Sequence, residues 1–298
     1  MQKDNSFLDI LLFVLAVIAG LFFAQFLTLA VLLPFYKDLQ GLMDALNNPL
    51  QHPEIKMQLL AMQGISAFSS FVLAPWAFIK WRERNVLPFL YKKATDVPLI
   101  GLAIGLTLVS TPFISLIVEW NESIVLPSQF SWVEDWAKQK ENYLKEITEM
   151  LTSLDNPTEL AWGLVVIAFL PALGEELVFR GYLQQKIGQL SQNPHMAIWV
   201  SAFLFSAIHF QFYGFFPRML LGALFGYMYH FSGQFHLPVV AHFTNNGLML
   251  VLIYLKDHGA ISYDIEKEDQ ASLPLAFLSL GLAAALFSVF VRRSKKES

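Results

Sequence analysis

The chain has 298 residues, 55% of them hydrophobic and only 15% charged, and a mean hydropathy of +0.48. An ordinary soluble domain carries about 25% charged residues, so a disordered chain, a basic nucleic-acid-binding domain and a typical soluble enzyme are excluded. The net charge of −4 offers no field for a polyanion, and the lack of cysteine removes disulfides, thiolate metal sites and a cysteine nucleophile.

A membrane-spanning helix needs about 20 mostly apolar residues. Runs of this kind cover 7–36, 58–79, 97–118, 159–173, 196–212, 218–231, 237–255 and 273–291. Backbone groups find no water inside a bilayer, so the runs read as helices. The expected fold class is all-α, a polytopic bundle of about eight spans in the cell membrane. The first run is far longer than a signal-peptide core and reads as a retained helix. Pairs of glycines four apart, Gly101/Gly105 and Gly222/Gly226, suit close packing between helices. Between the third and fourth runs, 131–154 sets Trp132, Trp136, Tyr143, Ile147 and Leu151 on one side of a helix. Glu134, Lys138, Glu141, Lys145 and Glu149 point elsewhere. That pattern fits an interfacial helix lying on the membrane or covering a cavity, and equally an amphipathic helix packed on loops.

With the N-terminus inside, the cytoplasmic segments hold twelve of the 20 Lys and Arg. They are Lys3, Lys80, Arg82, Arg84, Lys92, Lys93, Arg180, Lys186, Arg292, Arg293, Lys295 and Lys296. The segments 38–56, 119–159 and 257–269 carry 17 of the 24 carboxylates. By the positive-inside rule both termini are cytoplasmic.

Ionisable groups at membrane depth are costly and mark function by default. They concentrate in 171–246. Glu176 and Arg180, four apart with the acid first, stack favourably on one helical face. Glu175 points about 100° away, with no local partner. Phe205 and His209 share one face, as do His242 and Asn246. The chain turns near 192–194, and Glu175 and His209 are each 17 residues from position 192. An antiparallel hairpin therefore sets them at one level. His242 lies only five residues past Leu237, so all four meet only if the 181–196 hairpin projects into the cytoplasm. The blander readings are a helix-surface salt bridge for Glu176–Arg180 and a helix cap for His242 and Asn246. His230 and His236 read as hydrogen-bonded core residues, and His52, His195 and His258 as surface or interfacial ones.

Glu175-Glu176-x-x-x-Arg180, Phe205-x-x-x-His209 and His242-x-x-x-Asn246 together resemble the three motifs of the CPBP family. These are the CAAX prenyl endopeptidases and the Abi-like bacteriocin-processing or self-immunity proteins. The resemblance covers roughly 158–255, which would be the catalytic core. Residues 1–157 would be N-terminal helices with the interfacial segment, and 256–298 a loop, last span and basic tail.

The resemblance implies an intramembrane endopeptidase acting on a membrane-associated protein or peptide, within the lipid bilayer and without nucleic acid. Peptide hydrolysis needs an activated water, a stabilised oxyanion and a proton for the leaving amine. A carboxylate in a low-dielectric cavity, Glu175, suits general-base work. His209 can hold the same water, and His242 with Asn246 can donate to the oxyanion. Glu176, Arg180 and Phe205 would orient the site. Glu175, His209 and His242 also fit a two-His, one-carboxylate set, which would take a divalent metal such as zinc. Both readings stay open. No His-Glu-x-x-His, Gly-x-Ser-Gly or Gly-x-Gly-Asp occurs, which disfavours other intramembrane proteases. A non-proteolytic immunity or scaffold protein is the alternative. A proton-coupled transporter is a weaker one, because the polar residues sit in one stretch rather than in two repeated halves.

Overall fold

The computed structural model describes residues 6–35, 39–262 and 272–296. Lys3, Tyr36 and most of the acidic 257–269 segment, all used above, lie outside the described residues. Among the described residues the fold is all-α with no strand. The main helices are α1 (Ser6–Phe35), α2 (Pro53–Glu83), α3 (Val97–Glu122), α4 (Ser131–Thr152) and α5 (Pro157–Ser191). They continue with α6 (Pro194–Ala207), α7 (Phe215–Ser232), α8 (His236–Asp257) and α9 (Leu273–Lys296).

Six of these, α1, α2, α3, α5, α8 and α9, are long and apolar enough to span a membrane. The expectation of about eight counted α6 and α7 as well. At 14 residues α6 is about 21 Å long, short of the ~30 Å hydrocarbon core. α7 interrupts its apolar run with Arg218 and His230. The two pack against each other and against α5, so neither must meet lipid on all sides.

α5 is the central element. Half of its most apolar stretch is buried against protein, compared with 17–33% for the other spans. Tyr182 on α5 stacks on Phe13 of α1 with centroids 4.0 Å apart, and Phe78 of α2 meets both rings edge-on. On the opposite side α3 packs on α9. Pro112 interrupts the α3 hydrogen-bond ladder. Ser279 of α9 enters the gap, donating to the Val109 carbonyl at 2.5 Å and accepting from Phe113 N–H at 3.3 Å. A side chain inserted from a neighbour is how a membrane helix keeps such a break satisfied.

The turn comes where the sequence places it. α5 ends at Ser191, Gln192 takes a left-handed φ of 53°, and Asn193 caps α6 by accepting from His195 N–H and Met196 N–H. One end of the bundle gathers the basic residues. Arg82 pairs with Asp9, and Lys186 lies 2.8 Å from Glu83. Lys92 N–H donates to the Gly233 carbonyl and Lys93 Nζ to that of Ser294. Arg293 clamps Asp96 with two hydrogen bonds. The start of α1 and the end of α9 therefore lie at the same end.

Two expectations change. The apolar stripe of α4 divides: Trp132, Trp136 and Tyr143 are exposed, while Leu151 packs against the core near Leu60 and Leu154. Position 151 lies about 100° round the helix from 132, within the width of one apolar face, so the division comes from what packs against each end. Gly101 and Gly105 meet no neighbour within 4 Å of a built Cβ, whereas Gly222 and Gly226 do sit at close crossings.

Candidate active site

Glu175 and Glu176 lie where α5 departs from regular winding. Pro171 removes an N–H from the helix interior and crowds the preceding turn. The helix widens to π-helical turns over Leu164–Phe169 and again over Leu177–Leu183. Such widened turns concentrate at functional sites because they reset the faces that following residues present.

Glu176 is wholly buried, and its Oε1 accepts from Arg180 Nη1 at 2.8 Å and from His242 Nδ1 at 2.9 Å. A single carboxylate oxygen thus joins α5 to α8. The guanidinium of Arg180 stacks over Phe205 at 4.8 Å and Phe225 at 5.7 Å, and its Nη2 donates to the Gly222 carbonyl of α7 at 2.6 Å. Gly222 lets this crossing close: a Cβ there would lie 3.1 Å from Phe205 and 3.2 Å from Arg180. Glu176–Arg180 is accordingly a buried ion pair rather than a surface one.

Fixing His242 Nδ1 on Glu176 turns Nε2 towards Glu175, whose Oε2 stands 3.8 Å away. That separation exceeds a hydrogen bond and suits a bridging water. His209 lies just beyond α6, its Nδ1 donating to the Phe205 carbonyl at 2.8 Å. Its Nε2 is thereby left as the acceptor nitrogen. The Asn245 amide donates to Asn246 Oδ1 at 3.1 Å, which orients the Asn246 NH2 as the free donor.

One cavity of about 380 Å³ is lined by Glu175, Phe205, His209, His242 and Asn246. All four residues expected to carry chemistry therefore meet, as α5 continues to Ser191 and leaves room for that depth. Glu176 and Arg180 stand behind the wall.

Arg218 on the same wall was not foreseen. Its Nη2 donates to Gln211 at 2.7 Å and its buried Nη1 has no partner. Its one sequence signal was a charge opening an apolar run. Gln211 in turn donates to Glu141 of α4 at 3.4 Å, linking the helix outside the spans to the cavity wall. Burial pushes the Glu141 carboxyl above its ordinary range, opposed by the charge of Arg218.

The other histidines differ in part from expectation. His230 is exposed rather than in the core. His236 stacks on Tyr91 at 5.7 Å, and its Nε2 has no hydrogen-bond partner. His195 is exposed and meets the Tyr227 hydroxyl at 3.0 Å. Among the described residues no three His, Cys, Asp or Glu side chains are grouped so as to hold a metal ion. Glu175, His209 and His242 do not form a ligand set as they stand.

Residues 157–248, just under a third of the chain, match the family model described as type II CAAX prenyl endopeptidase Rce1-like. This match supports a CPBP family intramembrane protease and covers all three motifs. The chain is also 31% identical over 84 residues to the uncharacterized protein YpbD of Bacillus subtilis (strain 168). That alignment takes in 27% of this chain and 40% of YpbD's length. No solved structure matches the chain.

Proposed function

We propose, on the premise that residues 157–248 carry a CAAX-protease-like core, that this chain is an intramembrane endopeptidase hydrolysing a peptide bond of a membrane-associated protein or peptide. One observation carries the reading: Glu175, His209, His242 and Asn246, from distant stretches of chain, line a single cavity. Glu175 takes a proton from a water lying between it and the histidines. The resulting hydroxide attacks the carbonyl carbon. Asn246 donates to the developing oxyanion, worth roughly 3–4 kcal/mol for a well-placed donor; His242 adds a second donor only when both its ring nitrogens carry protons, since Nδ1–H already serves Glu176. His209, with Nε2 as the acceptor nitrogen, holds the water, then takes the proton from Glu175 and passes it to the leaving amine, which returns Glu175 to its carboxylate. Glu176 and Arg180 stand behind the wall and touch no substrate; with Phe205, which lines the cavity, they hold His242 and the α5–α7 crossing in place.

Endopeptidase in the general sense is preferred to CAAX processing in the strict sense, because no feature of the cavity requires a prenyl group. We also place both termini in the cytoplasm, with α4 on the other side, on the Lys and Arg distribution.

The test is cleavage of a membrane-tethered reporter by purified wild type and Glu175→Ala, with metal analysis of the same preparations. Cleavage by wild type alone supports the reading. A stoichiometric divalent metal bound through Glu175, His209 and His242 would redirect the water to a metal-bound one. An inactive wild type that still confers a membrane phenotype would favour the immunity or scaffold alternative.

A further inference from the structure

The contact between α5 and α7 is built as a ladder. Arg180 donates to the Gly222 carbonyl, and Gln184, four residues on, donates to the Gly226 carbonyl at 3.0 Å. The third rung would pair position 188 with position 230. Gly188 has no side chain to offer, and His230 is exposed. A cavity of about 300 Å³ opens there, lined by Gln184, Gly188, His230, Lys92, Lys93 and the first residue of α6, Pro194. Gly188 is thirteen residues from Glu175, about 20 Å along α5, so this is a second site.

The walls of this cavity are chemically one-sided. Two lysines and a histidine line it without any carboxylate. The acids at the same end are engaged elsewhere, Glu83 with Lys186 and Asp96 with Arg293. Lys92 is exposed and lies over the Phe89 ring at 4.9 Å. Lys93 is anchored by the Ser294 carbonyl and adds fixed charge to the wall. The Gln184 side chain is buried, with 7% of the residue exposed, and its Oε1 has no donor. An occupant suited to these walls brings an anion for the lysines.

We propose that this cavity binds the glycerophosphate headgroup of an anionic phospholipid, with the phosphate facing Lys92 and Lys93. The setting favours a lipid. The cavity lies at the basic end of the bundle, and basic ends of membrane proteins face the leaflet rich in anionic lipid. A soluble glycerophosphate shares the chemistry, so the experiment separates the two sources.

Native mass spectrometry of the full chain in detergent, with phosphatidylglycerol or phosphatidylcholine added, measures the retained adduct. Phosphatidylglycerol should be retained about fivefold or more over phosphatidylcholine, the effect of at least one lysine near an anionic surface. Lys92→Gln should lower that retention about fivefold, and Gly188→Leu, which fills the cavity, should abolish it. Lys92 is exposed, so its variant keeps the test valid even if Gly188→Leu fails to fold. Displacement of the lipid adduct by excess glycerol phosphate would support the headgroup as the bound part. Retention of glycerol phosphate with no phospholipid adduct would overturn the assignment to a lipid. Equal retention of both lipids, or retention unchanged in Lys92→Gln and in a folded Gly188→Leu, would overturn the site.

Discussion

Glu175 and Glu176 are adjacent in the chain and opposite in circumstance. Glu175 faces the cavity with 14% of its side chain exposed, whereas Glu176 is fully buried between Arg180 and His242. Glu175→Gln keeps the shape and removes the base, so reporter turnover should fall about 10²–10⁴-fold with little change in thermal stability. Asn246→Ala should cost about 10²–10³-fold in turnover through the lost oxyanion donor. Glu176→Gln and Arg180→Ala should instead lower stability, by about 3–5 kcal/mol, because each strands a buried partner charge. Unfolding curves beside turnover numbers separate the two classes. Full turnover by Glu175→Gln would remove Glu175 from the role of base. The motif spacing identified both carboxylates but could not reveal that Glu176 also holds His242, 66 residues away.

Helix crossings explain why similar glycine pairs behave differently. Gly222 sits under Phe205 and Arg180, so Gly222→Ala should cost about 1–3 kcal/mol through overpacking. Gly101→Ala meets nothing within 4 Å and should be neutral or slightly stabilising, since alanine favours a helix by up to about 1 kcal/mol over glycine. Thermal unfolding in detergent compares the two directly; a larger loss at Gly101 would contradict the packing described. The i,i+4 spacing is the same in both pairs, and only the facing helix tells them apart. The α3 break at Pro112 was visible as a proline in an apolar run, but its repair by Ser279 was not. A serine 167 residues away carries no local mark of that role.

Across the whole molecule, the gathering of Arg82, Lys92, Lys186 and Arg293 at one end with the start of α1 agrees with a common side for both termini. With no native cysteine, single probes are clean. Cysteines placed at the exposed positions Pro88 and Gln139 should react with an impermeant maleimide from opposite faces of the membrane. Reaction from the same face would mean that an even number of crossings separates position 88 from position 139, against the single crossing by α3 described above.

Composition and spacing alone determined the membrane class, the all-α fold, the hairpin turn at 192–194 and four of the residues that line the cavity, Glu175, His209, His242 and Asn246. These follow from local physics: a bilayer admits only long apolar helices, and i,i+4 positions share a face. Tertiary structure decided the double engagement of Glu176, the place of Arg218, the outward turn of the α4 aromatics and the number of helices long enough to span. Each of these depends on which helix face meets which neighbour. That choice is made by packing between residues tens of positions apart, such as Arg180 against Gly222, and no local pattern encodes it.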